Sequence, residues 1–333
     1  MNLLYFSCHS ILEYDELKLF SELGLNIFSH GTYKDPQKID DPKRPILNFT
    51  PPAGFADLIK DDNKMNCPQE IIDWADVIIF MHRSDWVFPN LEKMKGKRVI
   101  LRTIGQNTLD NEIELDVLRK NGVEIVRYSP REKTIPGYAG ESACIRFYKD
   151  PEEFNNWNGA DRQVLNISQD MINRDAFCNF QFFEKATSRY NRMLIGKGSE
   201  AAGLWGVGIK DYDFIKEKLR NSRVYFYTGT YPASYTLNFI EAAMTGTPMV
   251  ALGPIKGNSP IHQEQQTYEI PDYAEGCRNL FLADTVEEAA QKIGLLLDVE
   301  ELAQQKSAAI RAMALKYFAK DVIKDQWKKY LGV

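Results

Sequence analysis

The stretch "YTGTYPASYTLNFIEAAMTGTPMVALGP" occupies residues 227–254. It opens on glycine, proline and hydroxyl residues, turns into an apolar helical pattern, and stops at a second Gly-Thr-Pro. Glycine and proline punctuate both ends, so the spacing predicts a loop, a short helix and then a strand. One acid, Glu241, falls on the apolar face of that helix. A buried carboxylate is costly unless hydrogen-bond donors meet it, so some group must be supplying them.

The same alternation extends in both directions. Upstream, "QVLNIS", "NRMLIGKG" and "RVYFYTG" read as strands, separated by the helical patterns "RDAFCNFQFFEKATSRY" and "DYDFIKEKLRNS". Downstream come the strand "NLFLAD", the helix "TVEEAAQKIGLLL" and a terminal pattern that reads as two helices. The first half repeats this unit, with "NLLYFSC", "LNIFSHG", "DVIIFMH", "KRVILRTIG" and "VEIVRYS" as its strands. Near-continuous apolar strands alternating with helices predict a doubly wound parallel sheet in each half. The turn-rich, aperiodic stretch at about 150–162 is where the chain is expected to cross over. Ligands of such sheets sit beyond the carboxyl ends of the strands, which directs attention to Cys8–Ser10, His82–Asp85, Thr103–Asn107 and Ser129–Lys133.

A chain of 333 residues is long enough for two domains. At 44% hydrophobic and 26% charged it is an ordinary globular composition. The net charge of −5 argues against a wholesale polyanion binder and leaves a local basic groove open, with "KMKGKR" (93–98) and "DPKRP" (41–45) as its candidates. The N-terminal "MNLLYFSCHSILEYDELKLF" lacks a basic leader region, and no apolar run is long enough to span a bilayer, so a cytoplasmic protein is expected. Five scattered cysteines without a CxxC read as reduced thiols rather than a disulfide framework or a zinc site. No metal-ligand spacing is present. A GxGxxG is also missing, which disfavours dinucleotide cofactors.

"EAAMTGTPMVA" (241–251) resembles the signature of the group 1 glycosyltransferases of the GT-B fold. "YAEGCRNLFLADTVEEAAQKIGLLL" (273–297) is similar to the ending of that family's second domain, and the resemblance covers most of residues 160–330. It implies an α/β, GT-B architecture: two Rossmann-like doubly wound domains facing across a cleft, with C-terminal helices packing back on the first. The expected boundaries are 1–155 for an acceptor domain, 156–315 for a nucleotide-sugar-binding domain and 316–333 for the returning helix.

The resemblance also implies roles. A nucleotide diphosphate sugar, for example a UDP-sugar, would be the donor, with no cofactor or metal required. Glu241 would accept hydrogen bonds from the ribose hydroxyls, while Ser234, Tyr235 and Thr236 at the helix N-terminus would supply backbone and hydroxyl donors to the diphosphate. Arg174, in "ISQDMINRD", matches the second cation of the family's diphosphate loop, and Gln169 replaces the first. Gly196 and Lys197, in "LIGKGSEAAG", match its Gly-x-Gly turn. His82 stands where the family carries a His that touches the donor sugar. His9, beside Glu13 and Asp15, ends the first strand where inverting enzymes keep a general base. Arg102, Thr103, Gly105, Gln106 and Asp15 would line the acceptor side. The chain departs from the family at Ala233, which stands where the first of two motif acids is expected. That departure leaves both retention, which the family favours, and inversion open. A nucleotide-sugar epimerase on the same fold would need carboxylates around the sugar, and Ala233 removes the most obvious one. A small molecule, a glycan, a lipid-linked acceptor or a hydroxylated base in DNA are the acceptors the sequence leaves open, and a catalytically silent nucleotide-sugar binder shares the same donor residues.

Overall fold

The structure is a computed structural model that describes residues 1–39, 45–59 and 63–333. Runs such as Val-Ile-Ile-Phe-Met at 77–81 are apolar on both faces and become strands buried on both faces. Six of these, β1 (Asn2–Phe6), β2 (Asn26–His30), β3 (Val77–Met81), β4 (Arg98–Arg102), β5 (Glu124–Arg127) and β6 (Ala143–Cys144), form a parallel sheet in the order β2-β1-β3-β4-β5-β6. Five more, β7 (Asp161–Ile167), β8 (Arg192–Ile195), β9 (Ser222–Tyr227), β10 (Met249–Leu252) and β11 (Phe281–Ala283), form a second parallel sheet ordered β11-β10-β9-β7-β8. Both sheets switch direction beside their first strand, which places ligand sites at the ends of β1 and β7.

The chain divides into two units, Met1–Phe147 with Ile323–Val333, and Tyr148–Val322. The sequence places the crossover at about 150–162; the division lies a few residues earlier. The turns of that aperiodic stretch belong to the second unit, where Tyr212 donates to Glu153 and the Arg220 guanidinium donates to the carbonyls of Glu153 and Asn155.

In the first unit Leu4, Phe6, Ile78, Phe80, Leu101 and Ile125 pack under Ile71, Ile72, Leu115 and Leu118, with Phe6 stacked on Phe80 at 4.2 Å. The last residues of the chain complete it. Trp327 is buried edge-on against Phe20 at 5.1 Å, and Arg98 donates to the carbonyls of Tyr330 and Leu331.

In the second unit the helix Leu237–Thr245 is buried along nearly its whole length. Gly246, at φ 86°, ends it in the left-handed conformation that glycine adopts without strain, and Thr247 N–H returns to the Ala242 carbonyl. The long helix Glu300–Phe318 covers it, with Arg311 donating to the Met244 carbonyl. Where the sequence predicts one helix from Arg174, the chain makes two, Asp175–Cys178 and Phe180–Thr187, because Asn179 stands at φ 57° between them.

Candidate functional site

Three loops of the second unit meet at the carboxyl ends of its strands. The loops after β7 and β8 are joined by backbone hydrogen bonds from Ser168 N–H to the Ile195 carbonyl (2.9 Å) and from Asp170 N–H to the Lys197 carbonyl (2.7 Å). Gln169, standing where a cation was expected, accepts from Lys197 N–H at 3.0 Å. Gly196 is required here. Its φ is 138°, and a Cβ on it would lie 2.1 Å from the Ser168 carbonyl oxygen.

The third loop follows β9 and leads into the helix Leu237–Thr245. Thr236 donates to the Tyr227 hydroxyl at 3.2 Å, and the Asn238 amide donates to the Ile167 carbonyl at the end of β7. Thr267 holds the Pro232 carbonyl (2.6 Å), and Glu269 N–H holds that of Ser234 (3.1 Å). The helix N-terminus is thereby fixed beside the β7 loop, and a helix N-terminus attracts anions. Arg174 sits at the start of Asp175–Cys178, half-buried, and Lys197 is exposed. Among the described residues neither side chain has an ion-pair partner.

Ser234 and Tyr235 are buried. The Tyr235 ring packs edge-on to Phe318 at 5.4 Å. Glu241 is paired. Its Oε1 lies 2.9 Å from Lys149 Nζ, with the two side chains 7% and 1% exposed respectively. Sequence reasoning missed Lys149, which lies in the aperiodic "FYKDP" stretch with no periodic signal to assign it.

The first unit corrects several expectations. Arg102 and Thr103 do not line an acceptor surface, because both are fully buried. Arg102 pairs with Glu16 at 3.0 Å, donates to the Arg127 and Arg146 carbonyls, and lies over Phe147 and Trp327. Thr103 donates to Glu132, which also receives Arg127. Glu13 does not orient His9. Its carboxylate accepts from Ser29 and from the N–H groups of Thr32 and Tyr33 at 2.6–3.0 Å, holding the loop after β2. His9 caps the helix Ser10–Glu22 by accepting from Leu12 N–H through Nδ1 (3.4 Å), and Asp15 is buried on the same helix.

The "KMKGKR" run is not a free basic groove. Lys93 donates to the Cys67 carbonyl, Lys97 to those of Asp73 and Ala75, and Arg98 pairs with Glu124; Lys95 is exposed beside Glu92. Of "DPKRP", residues 41–44 lie outside the described residues.

His82, Gly105 and Gln106 retain the features of strand-end residues. All three have positive φ (65°, 97° and 66°), and for the two non-glycine residues that is strain of a kind concentrated at functional sites. Burial, with the Arg83 charge adding to it, pulls the His82 imidazole below its ordinary pKa, against a smaller opposing effect of Asp85. No group of three or more His, Cys, Asp or Glu side chains is placed to hold a metal ion among the described residues. Nor is any described helix long and apolar enough to cross a membrane.

Two doubly wound parallel sheets, the second carrying the loop-helix-strand unit around Glu241, define the α/β GT-B fold. Solved structures share it. The chain superposes on Anabaena Alr3699/HepE, solved with UDP and glucose, at a TM-score of 0.70, covering 100% of this chain and 99% of that one at 13% identity. A glycosyltransferase from Rickettsia africae gives 0.68 over 99% and 98% of the two chains at 13% identity, and the spinosyn forosaminyltransferase SpnP gives 0.56 over the whole of both at 12%. At these identities the likeness is one of fold. No family model matches the sequence, and no curated protein sequence does.

Proposed function

We propose that this chain is a glycosyltransferase that uses a nucleotide diphosphate sugar, with the donor seated on the second unit. The observation that carries the reading is Glu241: a carboxylate one turn inside a helix whose N-terminus is fixed at the end of β7, the strand whose loop carries Arg174 and is joined to the loop carrying Lys197. In this reading the helix N-terminus and the Ser234–Thr236 amides receive the diphosphate, Arg174 and Lys197 add positive charge, and Glu241 accepts from the ribose hydroxyls. UDP and UDP-glucose in the HepE complexes, and UDP with GlcNAc in the pneumococcal O-GlcNAc transferase GtfA, support a uridine nucleotide.

Catalysis then consists of stabilising the charge that builds on the departing diphosphate, the work of preorganised amides and a guanidinium fork. From the first unit we assign His82 to the donor sugar, acting as a neutral imidazole. Gly105, Gln106 and His9 are the residues we assign to the acceptor. We favour retention, following the family pattern, and a small-molecule or glycan acceptor over DNA, because Lys93, Lys97 and Arg98 are committed within their own unit.

The test is a hydrolysis screen across nucleotide sugars, followed by acceptor classes and by the anomeric configuration of the product. Turnover of at least one donor is expected. Binding of a nucleotide sugar with no turnover in the presence of any acceptor would make the chain a silent binder instead.

A further inference from the structure

The Lys149–Glu241 pair is poorly explained as a stabilising device. Replacing a buried ion pair with apolar residues of similar volume is often neutral or favourable, because desolvating two charges offsets their attraction. What such a pair supplies is a fixed, ionised group at a chosen place. The two partners are not equivalent here. The lysine side chain is 1% exposed and the acid 7%, so of the two it is the carboxylate that keeps some accessible surface.

The lysine is itself held from several sides. Its backbone N–H donates to the Phe318 carbonyl (3.0 Å), and it forms an isolated bridge with Ala319. Next to it, Asp150 is tied to Lys320 at 2.9 Å. The ammonium also lies 5.5 Å from the centre of the Phe154 ring. This anchoring fixes the backbone from which the ammonium reaches Glu241.

We propose that Lys149 is a positioning residue for nucleotide binding: as the buried countercharge 2.9 Å from Glu241 it holds and orients that carboxylate toward the ribose hydroxyls of the donor. The inference rests on the donor reading given above. An ionised carboxylate accepts from both hydroxyls of a ribose diol. A buried acid without its countercharge shifts toward the protonated form, which turns one of its oxygens into a donor. Lys149 therefore acts on ribose recognition through Glu241, without touching the ligand.

The experiment is calorimetric titration with a ribonucleoside diphosphate, UDP first and otherwise the one the wild-type chain binds, and with its 2′-deoxy form. The proteins are wild type, Lys149→Met, Lys149→Arg and Glu241→Gln. Wild type should prefer the ribonucleotide by roughly tenfold or more, as expected for a charge-assisted hydrogen bond. Lys149→Met should bring that ratio close to one, as Glu241→Gln does, and Lys149→Arg should retain most of it. The ratio is taken within one folded protein, so a general loss of stability does not move it. Where the methionine variant does not fold, Lys149→Gln keeps a hydrogen bond to the acid without the charge, and a lowered ratio is again expected.

A wild-type ratio in Lys149→Met or Lys149→Gln, alongside its loss in Glu241→Gln, overturns the role of Lys149 and leaves the donor reading standing. No ribose preference in wild type, and no effect of Glu241→Gln, overturns the donor reading and this inference together.

Discussion

Gly196→Ala tests the frame on which the donor site is built. A Cβ at this position would lie 2.1 Å from the Ser168 carbonyl oxygen, so the loops after β7 and β8 must part by about 1 Å to admit it in a close-packed interior. Alanine at φ 138° adds backbone strain of roughly 1–3 kcal/mol. The separation also weakens two hydrogen bonds, Ser168 N–H to Ile195 and Asp170 N–H to Lys197, each worth about 0.5–1.5 kcal/mol. The sum is about 2–6 kcal/mol, which lowers the melting temperature on the order of 10 °C. Gly276→Ala is the control. It too has positive φ (64°) but open space around the Cβ, so it carries strain alone, roughly 1–2 kcal/mol. Differential scanning calorimetry gives the stabilities, and nucleotide titration gives the site. The Gly196 variant should lose nucleotide affinity because Arg174 and Lys197 ride on the displaced loops, whereas the Gly276 variant should not. Equal melting temperatures and unchanged affinity in both would refute the close approach of the two loops.

Arg174→Ala should lower turnover by roughly 10²-fold and raise the donor KM less, because charge on the diphosphate peaks in the transition state. Steady-state kinetics with varied donor decide it, and a raised KM with intact kcat would reassign the residue to ground-state binding. For His82, burial favours the neutral imidazole, so the acidic limb of kcat/KM should fall below the 6.5 of an ordinary histidine and vanish in His82→Gln. A limb that stays in place in the variant belongs to another group. Arg98→Ala should destabilise the protein by about 1–2 kcal/mol through lost bonds to Glu124, Tyr330 and Leu331, with donor hydrolysis unchanged. An unchanged melting temperature would remove its structural role.

The parallel sheets and the helix around Glu241 were legible because each rests on a local pattern. Apolar runs give buried strands, and Gly246 gives the helix stop. The break at Asn179 was not, since an asparagine in the left-handed region carries no periodic signature. Nor was β6, whose two residues are too few for any pattern. The site was less legible than the fold for a related reason. Strand-end position marked Arg102 as facing a ligand, but its carboxylate partner Glu16 lies 86 residues away in sequence and draws the guanidinium inward. Lys149 was hidden in the same way, by a partner in a distant helix.

The distribution of paired and unpaired cations separates structural charge from charge that awaits a ligand. At the strand ends of the first unit, Arg102 has Glu16, and Arg127 has Glu112 at 2.7 Å and Glu132 at 3.3 Å, all of them buried. Breaking such a pair leaves a buried charge and costs several kcal/mol, so these arginines are fixed by folding and have nothing to offer an anion. At the strand ends of the second unit, Arg174 and Lys197 have no ion-pair partner among the described residues, and the acid nearest in role, Glu241, is neutralised by Lys149 rather than by either of them. Because Glu241 draws its countercharge from Lys149, the loop cations are not spent on it. In the proposed donor reading, a diphosphate at the N-terminus of Leu237–Thr245 would supply the missing negative charge, while its ribose would reach an acid already held by Lys149.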